Sequence, residues 1–324
     1  MRNLCSVFCA LLAAGLLACT ALASPTAPSG DGRAIARLDL PAGPAPTSGA
    51  ATGGSVQFIG TATVLLRYGG LTILTDPNFL HKGEHVHLGY GLHAQRLTNP
   101  AIEFDQLPPI DMVILSHLHE DHFDKLVQQK LKRDTPIVTT PEASARLAQL
   151  GFTRTIALSR WAALDVVKGG DRLRMAAMPG RHGGLVSARL LPPVMGSMLE
   201  FSSGSSASGS SSGAPAYRLY ISGDTLIYDD IAEIGQRYPD IDLALLHLGG
   251  TRILGVVKVT MDGSDGVRMM QLVAPRRAIP IHYNDYDVFK SPLSDFQREV
   301  AKAGLSDKVT YLKHGDTYRF GAPP

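Results

Sequence analysis

One short run constrains this chain more than any other: Ser116-His117-Leu118-His119-Glu120-Asp121-His122, directly after the apolar stretch Met112–Leu115. Residues two apart on an extended chain point the same way, so His117 and His119 can hold one metal ion. Asp121 and His122, at the turn into a helix, can then face a second. The alternative is a set of surface or helix-capping polar residues at a strand–helix junction. Three imidazoles and a carboxylate at the end of an apolar strand are more than a cap requires. A fold that uses them must leave the ends of its strands open at one edge and bring further donors there.

The rest of the chain must supply those donors without thiols. The sequence of 324 residues has 3 cysteines against 11 histidines, and Cys5, Cys9 and Cys19 all fall in the first twenty positions. A disulfide scaffold, a zinc finger, an iron–sulfur centre and a cysteine nucleophile are thereby excluded for the body of the protein. A formal charge of +2 with no Lys/Arg block gives no reason to expect a nucleic-acid partner. At 44% hydrophobic residues the chain can bury a full core, which excludes wholesale disorder, collagen and a coiled coil.

Three further donors each follow an apolar or strand-like run. His182 lies in Met178-Pro179-Gly180-Arg181-His182, Asp224 in Ile221-Ser222-Gly223-Asp224-Thr225, and His282 in Ile279-Pro280-Ile281-His282. Each alone reads equally well as a satisfied polar group in a loop. With the first motif they make a set of nitrogen and oxygen donors that suits Zn(II), with Mn(II) or Fe(II) as alternatives. His247, after Leu243–Leu246, is expected to open toward the same edge as a catalytic group that touches substrate or donates a proton; the alternative is a packed loop histidine. Arg181 and Tyr283 adjoin donors and could meet an anionic or carbonyl group. The segment Asn78 to Pro100, with His81, His85, His87 and His93, reads as a rim of the pocket, either solvated or with a separate metal site at His85 and His87. His314 reads as part of a turn.

The chain divides into three. Residues 1–23 read as a signal peptide: Met-Arg-Asn, then an uncharged apolar run, then Ala21-Leu22-Ala23 before Ser24. Leu16-Leu17-Ala18-Cys19 offers a second processing site, a lipobox that would anchor the protein by a lipid on Cys19, and an uncleaved membrane anchor is a third reading. Residues 24–54 are rich in Ser, Pro, Ala and Gly and read as a flexible linker. Residues 55–324 carry the fold. Strands are expected at Val56–Ile59, Thr63–Tyr68, Leu71–Leu74, Met112–Leu115, Ile137–Thr139, Tyr217–Ile221, Leu243–Leu246, Ala278–Ile281 and Val309–Leu312. Helices are expected at Asp124–Lys132, Pro141–Leu150, Ile231–Tyr238, Gly263–Leu272 and Pro292–Ala303. The Ser/Gly stretch from Ser202 to Gly213 reads as a hairpin tip. The order implies a mixed α/β fold with helices outside two sheets.

The succession of HxHxDH, a later His, Ser-Gly-Asp-Thr and a final Ile-His resembles the metallo-β-lactamase superfamily, and Gly60-Thr61-Ala62-Thr63 with Leu74-Thr75-Asp76-Pro77 is similar to its opening strands. Within it the chain looks most like the branch of ascorbate-6-phosphate lactonase and the N-acyl-phosphatidylethanolamine phospholipase D type enzymes. The resemblance implies a four-layer αβ/βα sandwich with two mixed β-sheets and the site at one edge. It implies two divalent metal ions, one held by His117, His119 and His182, the other by Asp121, His122 and His282, with Asp224 bridging and Asp76 in support behind them. Two such ions share a water and lower its pKa from about 15.7 toward about 7. Asp121 would orient that nucleophile and shuttle its proton.

Within the superfamily, hydrolysis of β-lactams is disfavoured because Asp224 stands where one class places a thiolate and another dinuclear class lacks a bridging aspartate. An export signal and mild charge argue against the RNA-processing enzymes that share these ligands. The phospholipase D-type pattern carries a further histidine before the last ligand, and Val259-Thr260-Met261-Asp262-Gly263 has none. The expectation is an exported, extracytoplasmic hydrolase of an ester, lactone or phosphodiester. Its substrate would be a small or lipid-like molecule, and its contact with a membrane only a lipid on Cys19. The alternative is a non-catalytic metal-binding or surface-interaction module that retains the fold.

Overall fold

Several strands of the body are apolar on both faces, which a sheet tolerates only when both faces are covered. The computed structural model describes residues 35–42, 53–89, 91–184, 187–203, 215–253 and 256–321. Residues 1–23, read above as a signal peptide, lie outside them, as does 204–213 of the stretch read as a hairpin tip, whose first two residues, Ser202 and Ser203, instead end the strand Gly196–Ser203. Among the described residues, no helix is long and apolar enough to cross a membrane.

Two seven-stranded sheets form the body. The first runs in the order Thr317–Phe320, Gly54–Gly60, Thr63–Tyr68, Leu71–Thr75, Met112–Ile114, Ile137–Thr139, Thr155–Ala157. The second runs Ala36–Leu40, Ala163–Lys168, Asp171–Met178, Gly196–Ser203, Tyr217–Ile221, Leu243–His247, Arg277–Ile281. In each sheet three antiparallel pairings give way to parallel ones: after Leu71–Thr75 in the first, after Tyr217–Ile221 in the second.

Alternation along each strand sorts the layers. Val64, Leu66, Ile73 and Ile114 meet Leu219, Ile221, Leu243, Leu245 and Ile281 in one cluster between the sheets. Their neighbours Leu65, Leu74 and Val113 turn outward, onto Val127 of helix α1 (Lys125–Lys130) and Leu147 of helix α2 (Pro141–Gln149). On the other side Tyr220, Ala244 and Leu246 pack with Ile234 of α3 (Ala232–Arg237), Met269 of α4 (Gly263–Val273) and Phe296 of α5 (Leu293–Lys302). The result is the αβ/βα sandwich. Helix starts follow their capping residues: Asp124 accepts from Val127 N, and Thr140 from Ala143 N with Pro141 in the first turn.

Two expectations need correction. The linker read over 24–54 contains a strand, Ala36–Leu40, which pairs in parallel with Ala163–Lys168. Its pattern explains why: Leu38 and Leu40 are buried between the sheets while Arg37 and Asp39 face solvent and pair with each other at 2.7 Å. Val309–Leu312 is not a strand. Val309 and Leu312 are buried, which satisfies the apolar pattern, but the segment makes a single bridge to Ala278, and the last strand is Thr317–Phe320.

Candidate metal centre

Each donor is set by the end of a strand. Asp76 follows Leu71–Thr75, the Ser116–His122 run follows Met112–Ile114, Asp224 follows Tyr217–Ile221, His247 closes Leu243–His247, and His282 follows Arg277–Ile281. All five strands make parallel pairings, and the carboxyl ends of parallel strands form a crevice where polar side chains from separate loops converge. His182 arrives from the loop after the antiparallel strand Asp171–Met178.

Among the described residues, three groups have ligand atoms within 4.8 Å of one another. Asp76, His122 and His247 form one that shares His122 and lies behind the others, and the donors themselves make up two: His117, His119 and His182, then Asp121, His122, Asp224 and His282. These are the seven residues expected from the sequence. In the first group His117 Nε2 and His119 Nδ1 stand 3.0 Å apart, and the His182 ring lies 5.1 Å from that of His117. In the second, His122 Nε2 is 3.2 Å from Asp224 Oδ2, and His282 Nε2 is 3.5 Å from Asp121 Oδ2.

Three of the remaining ring nitrogens are anchored from behind, which fixes those rings. His182 Nδ1 contacts the Val259 carbonyl at 2.8 Å, His282 Nδ1 the Leu248 carbonyl at 3.2 Å, and His117 Nδ1 the Ser116 hydroxyl at 3.0 Å. Asp121 Oδ1 and His282 Nε2 are buried without a hydrogen bond. An unmet buried polar group costs about 1–3 kcal/mol, so the donor set suits cations that these atoms would ligate.

The electrostatics differ between the groups. Burial, reinforced by neighbouring histidines, pushes His117 well below the usual histidine range, and burial with His182 beside it lowers His119 to about 3. His182 is lowered by burial as well. In the second group burial acts on His122 in the same sense, but Asp224 and Asp121 outweigh it and raise His122 well above its ordinary value. His282 is raised too, with Asp224 the main opposing charge to burial. Burial would raise Asp121, yet His122 and His282 bring it down to about 2, and Asp224 is likewise held well below the carboxylate range.

Behind the donors, Asp76 Oδ1 accepts from Ser116 N at 2.7 Å and from Ser116 Oγ at 2.9 Å, and lies 3.5 Å from His122 Nδ1. This is the supporting place the resemblance implies for it. His247 differs from expectation. It is fully buried, with Nδ1 3.2 Å from Asp224 Oδ1 and Nε2 3.9 Å from Asp76 Oδ2, and it does not line the cavity over the donors. It meets Asp224 and Asp76 rather than the cavity because it lies level with Ile281 in the sheet, one residue before His282.

The secondary candidates separate in the same way. Tyr283 donates to the Leu312 carbonyl inside the core, Arg181 stacks over Tyr228, and His81 pairs with Glu103 on the surface. Among the described residues no donor group includes His85 or His87. His93 lines the cavity with His119, Asp121, His182 and Asp224. Sequence reasoning missed Arg96, Asn78 and Asp285, which are buried around the donors and carry no local pattern.

A four-layer sandwich with buried histidines and aspartates gathered at its strand ends is a metal-binding framework, and the relatives that share it with this chain are metal-dependent hydrolases. The chain belongs to the beta-lactamase superfamily: residues 72–283 match the model of the beta-lactamase superfamily domain. It is similar to a UPF0173 metal-dependent hydrolase of Rubrobacter xylanophilus, 24% identical over 82% of this chain and 96% of the relative. A UPF0173 metal-dependent hydrolase of Archaeoglobus fulgidus is 28% identical over 65% of this chain and 82% of the relative. Among solved structures, an isothiocyanate hydrolase from Delia radicum gut bacteria has a TM-score of 0.67 at 22% identity, over 83% of this chain and 99% of that one.

Proposed function

We propose that the protein is an exported hydrolase that uses two divalent metal ions, most readily Zn(II), on small uncharged carboxylic esters or lactones. The observation that carries the substrate class is the cavity over the donors. Its walls are Leu88, Leu92, Leu191, Ile253, Val259 and Val288, and among its lining residues outside the donor groups only His93 and Arg252 can carry positive charge. Two divalent ions can themselves clamp the charge of a phosphodiester, so it is the apolar walls that favour a neutral ester with an apolar acyl group.

His117, His119 and His182 would hold one ion, and Asp121, His122 and His282 the other, with Asp224 shared. Bound there, such ions supply a Lewis acid and an acidified water. Asp121 lines the cavity, and with one carboxylate oxygen on an ion the other can accept a hydrogen bond from the attacking water and orient it. Asp224, steered by His247, keeps the donor groups in register. The N-terminal signal pattern supports action outside the cytoplasm, whether the protein is released or held by a lipid on Cys19.

The test is an initial-rate screen of metal-loaded protein on short-chain esters, lactones, isothiocyanates and phosphodiesters, with His119→Ala as control. Isothiocyanates belong in it as small uncharged electrophiles, the class named for the structural relative. Turnover of esters or lactones well above the control is expected. Turnover confined to phosphodiesters would overturn the substrate class. Two bound equivalents of metal with no turnover of any substrate would favour a non-catalytic binding module.

A further inference from the structure

The segment between the strands Leu71–Thr75 and Met112–Ile114 buries one cation completely. Arg96 is 0% exposed and makes no ion pair within 4 Å among the described residues, an unusual state for a guanidinium. Its Nε donates to the Thr98 carbonyl at 3.1 Å, its Nη1 donates to both Thr61 Oγ1 and Asn78 Oδ1, and its plane lies 5.2 Å from the Tyr286 ring centroid. Nη2 is buried without an acceptor.

Both partners of Nη1 lead to the second donor group. Thr61 sits in the turn between the first two strands of its hairpin, in the left-handed region at φ 53°. Its carbonyl accepts from the backbone N–H of His282 at 2.6 Å, and His282 is itself left-handed at φ 60°. A non-glycine residue in that region persists only where its surroundings hold it. On the other side, Asn78 Nδ2 donates at 3.0 Å to the carbonyl of Glu120, whose peptide leads into Asp121. Asp285, also 0% exposed, closes the ring by accepting from Thr61 N at 2.8 Å and from Thr98 Oγ1.

We propose that Arg96 is a positioning residue for the second donor group. Through Thr61 it fixes the backbone of His282, through Asn78 the entry to Asp121, and so it sets the affinity for the second metal ion without touching that ion. The first group is reached only indirectly: His182 is held by Val259, and His117 by Ser116, which meets the ring around Arg96 through Asp76, Thr63 and the Asn78 backbone. The inference rests on the two-ion reading above.

The experiment titrates metal-free full-length protein with Zn(II) against a competing chelator, for the wild type, Arg96→Met, Arg96→Lys and Thr61→Val. His182→Ala assigns which step belongs to the first group. Partners behind metal ligands typically change affinity about 10–100-fold. Arg96→Met is expected to weaken the second step by that factor and leave the first unchanged. Arg96→Lys should recover part of the loss, and Thr61→Val should weaken the same step while leaving the cation in place. If both steps weaken together, or if thermal stability falls while both constants hold, Arg96 is structural only and the inference fails. Should Arg96→Met not fold, Thr61→Val decides alone. A wild type that binds a single equivalent would instead sink the two-ion reading itself, a distinguishable result.

Discussion

Acidification should strip the two donor groups in a fixed order, because protons compete for them unequally. In the second group, Asp224 and Asp121 raise His122 and His282 above the ordinary histidine value, so protons compete with an incoming ion there at higher pH than they do in the first group. Affinity then falls by about one decade per pH unit for each proton displaced, about 1.4 kcal/mol. Over two pH units below the raised histidine values that is about 100-fold for one proton and about 10⁴-fold for two. Asp121, at about 2, and Asp224, held well below its ordinary value, stay ionised over this window and add nothing to the slope. In the first group the sign is reversed: His117, His119 and His182 are all lowered, His119 to about 3, so at neutral pH they carry no proton to displace. Protein loaded with two equivalents and dialysed from pH 8 to pH 5 against a fixed chelator should pass through a one-equivalent plateau. Elemental analysis of the dialysed protein reads it directly. Loss of both equivalents at one pH, or survival of the second-group ion after the first-group ion has gone, would refute the reasoning.

Four other outcomes follow from the same geometry. Asp76→Asn keeps the volume but removes the charge beside His122 Nδ1, so metal affinity should fall about 10–100-fold with little change in secondary structure by circular dichroism. His247→Ala removes a buried partner of Asp224 and should cost about 2–5 kcal/mol in urea unfolding, while His247→Gln, which can still donate to Asp224, should recover part of both stability and kcat. Leu245→Ala empties a position that is 0% exposed between the sheets and should cost about 2–5 kcal/mol by the same assay, with metal stoichiometry intact. Removing metal held at about 1,000 times its dissociation constant should lower stability by about 4 kcal/mol, seen as a drop in Tm that metal restores.

The donors were legible because each is the polar residue that ends an apolar strand. A strand buried on both faces announces itself locally, and the residues just past its carboxyl end are placed at the crevice by the topology. What escaped is what depends on distant chain. Ala36–Leu40 alternates in only five residues inside a Pro/Gly-rich stretch, so its pairing with Ala163–Lys168 has no local signature. The hairpin of Ala163–Lys168 with Asp171–Met178 did carry a signal, Gly169-Gly170 between alternating apolar residues, of the kind two-residue turns favour. Arg96 carried none: its burial arises from Thr61, Asn78 and Tyr286, brought together only by the finished fold. His247 was correctly placed at a strand end, but its direction is set by Asp224 and Asp76, from two other strands in two different sheets.

The same dependence explains why core and site cannot be separated in this fold. Asp76, His117, His119, Asp121 and His122 belong to the first sheet's loops; His182, Asp224 and His282 belong to the second's, so each donor group draws on both sheets. The spacing between donors is therefore the spacing between sheets. Ile114, Ile221, Leu245 and Ile281, each one to three residues before a donor or its support, meet in the one apolar cluster that sets that spacing. Among the described residues, Ala36–Leu40 joins the second sheet and Thr317–Phe320 the first, so the two sheets are tied together by strands far apart in sequence. The cavity walls, by contrast, come largely from loops: Leu88 and Leu92, Leu191, and Ile253 with Val259. Sandwich packing thus fixes the donor set, while the loops, free to vary without moving a ligand, select what reaches it.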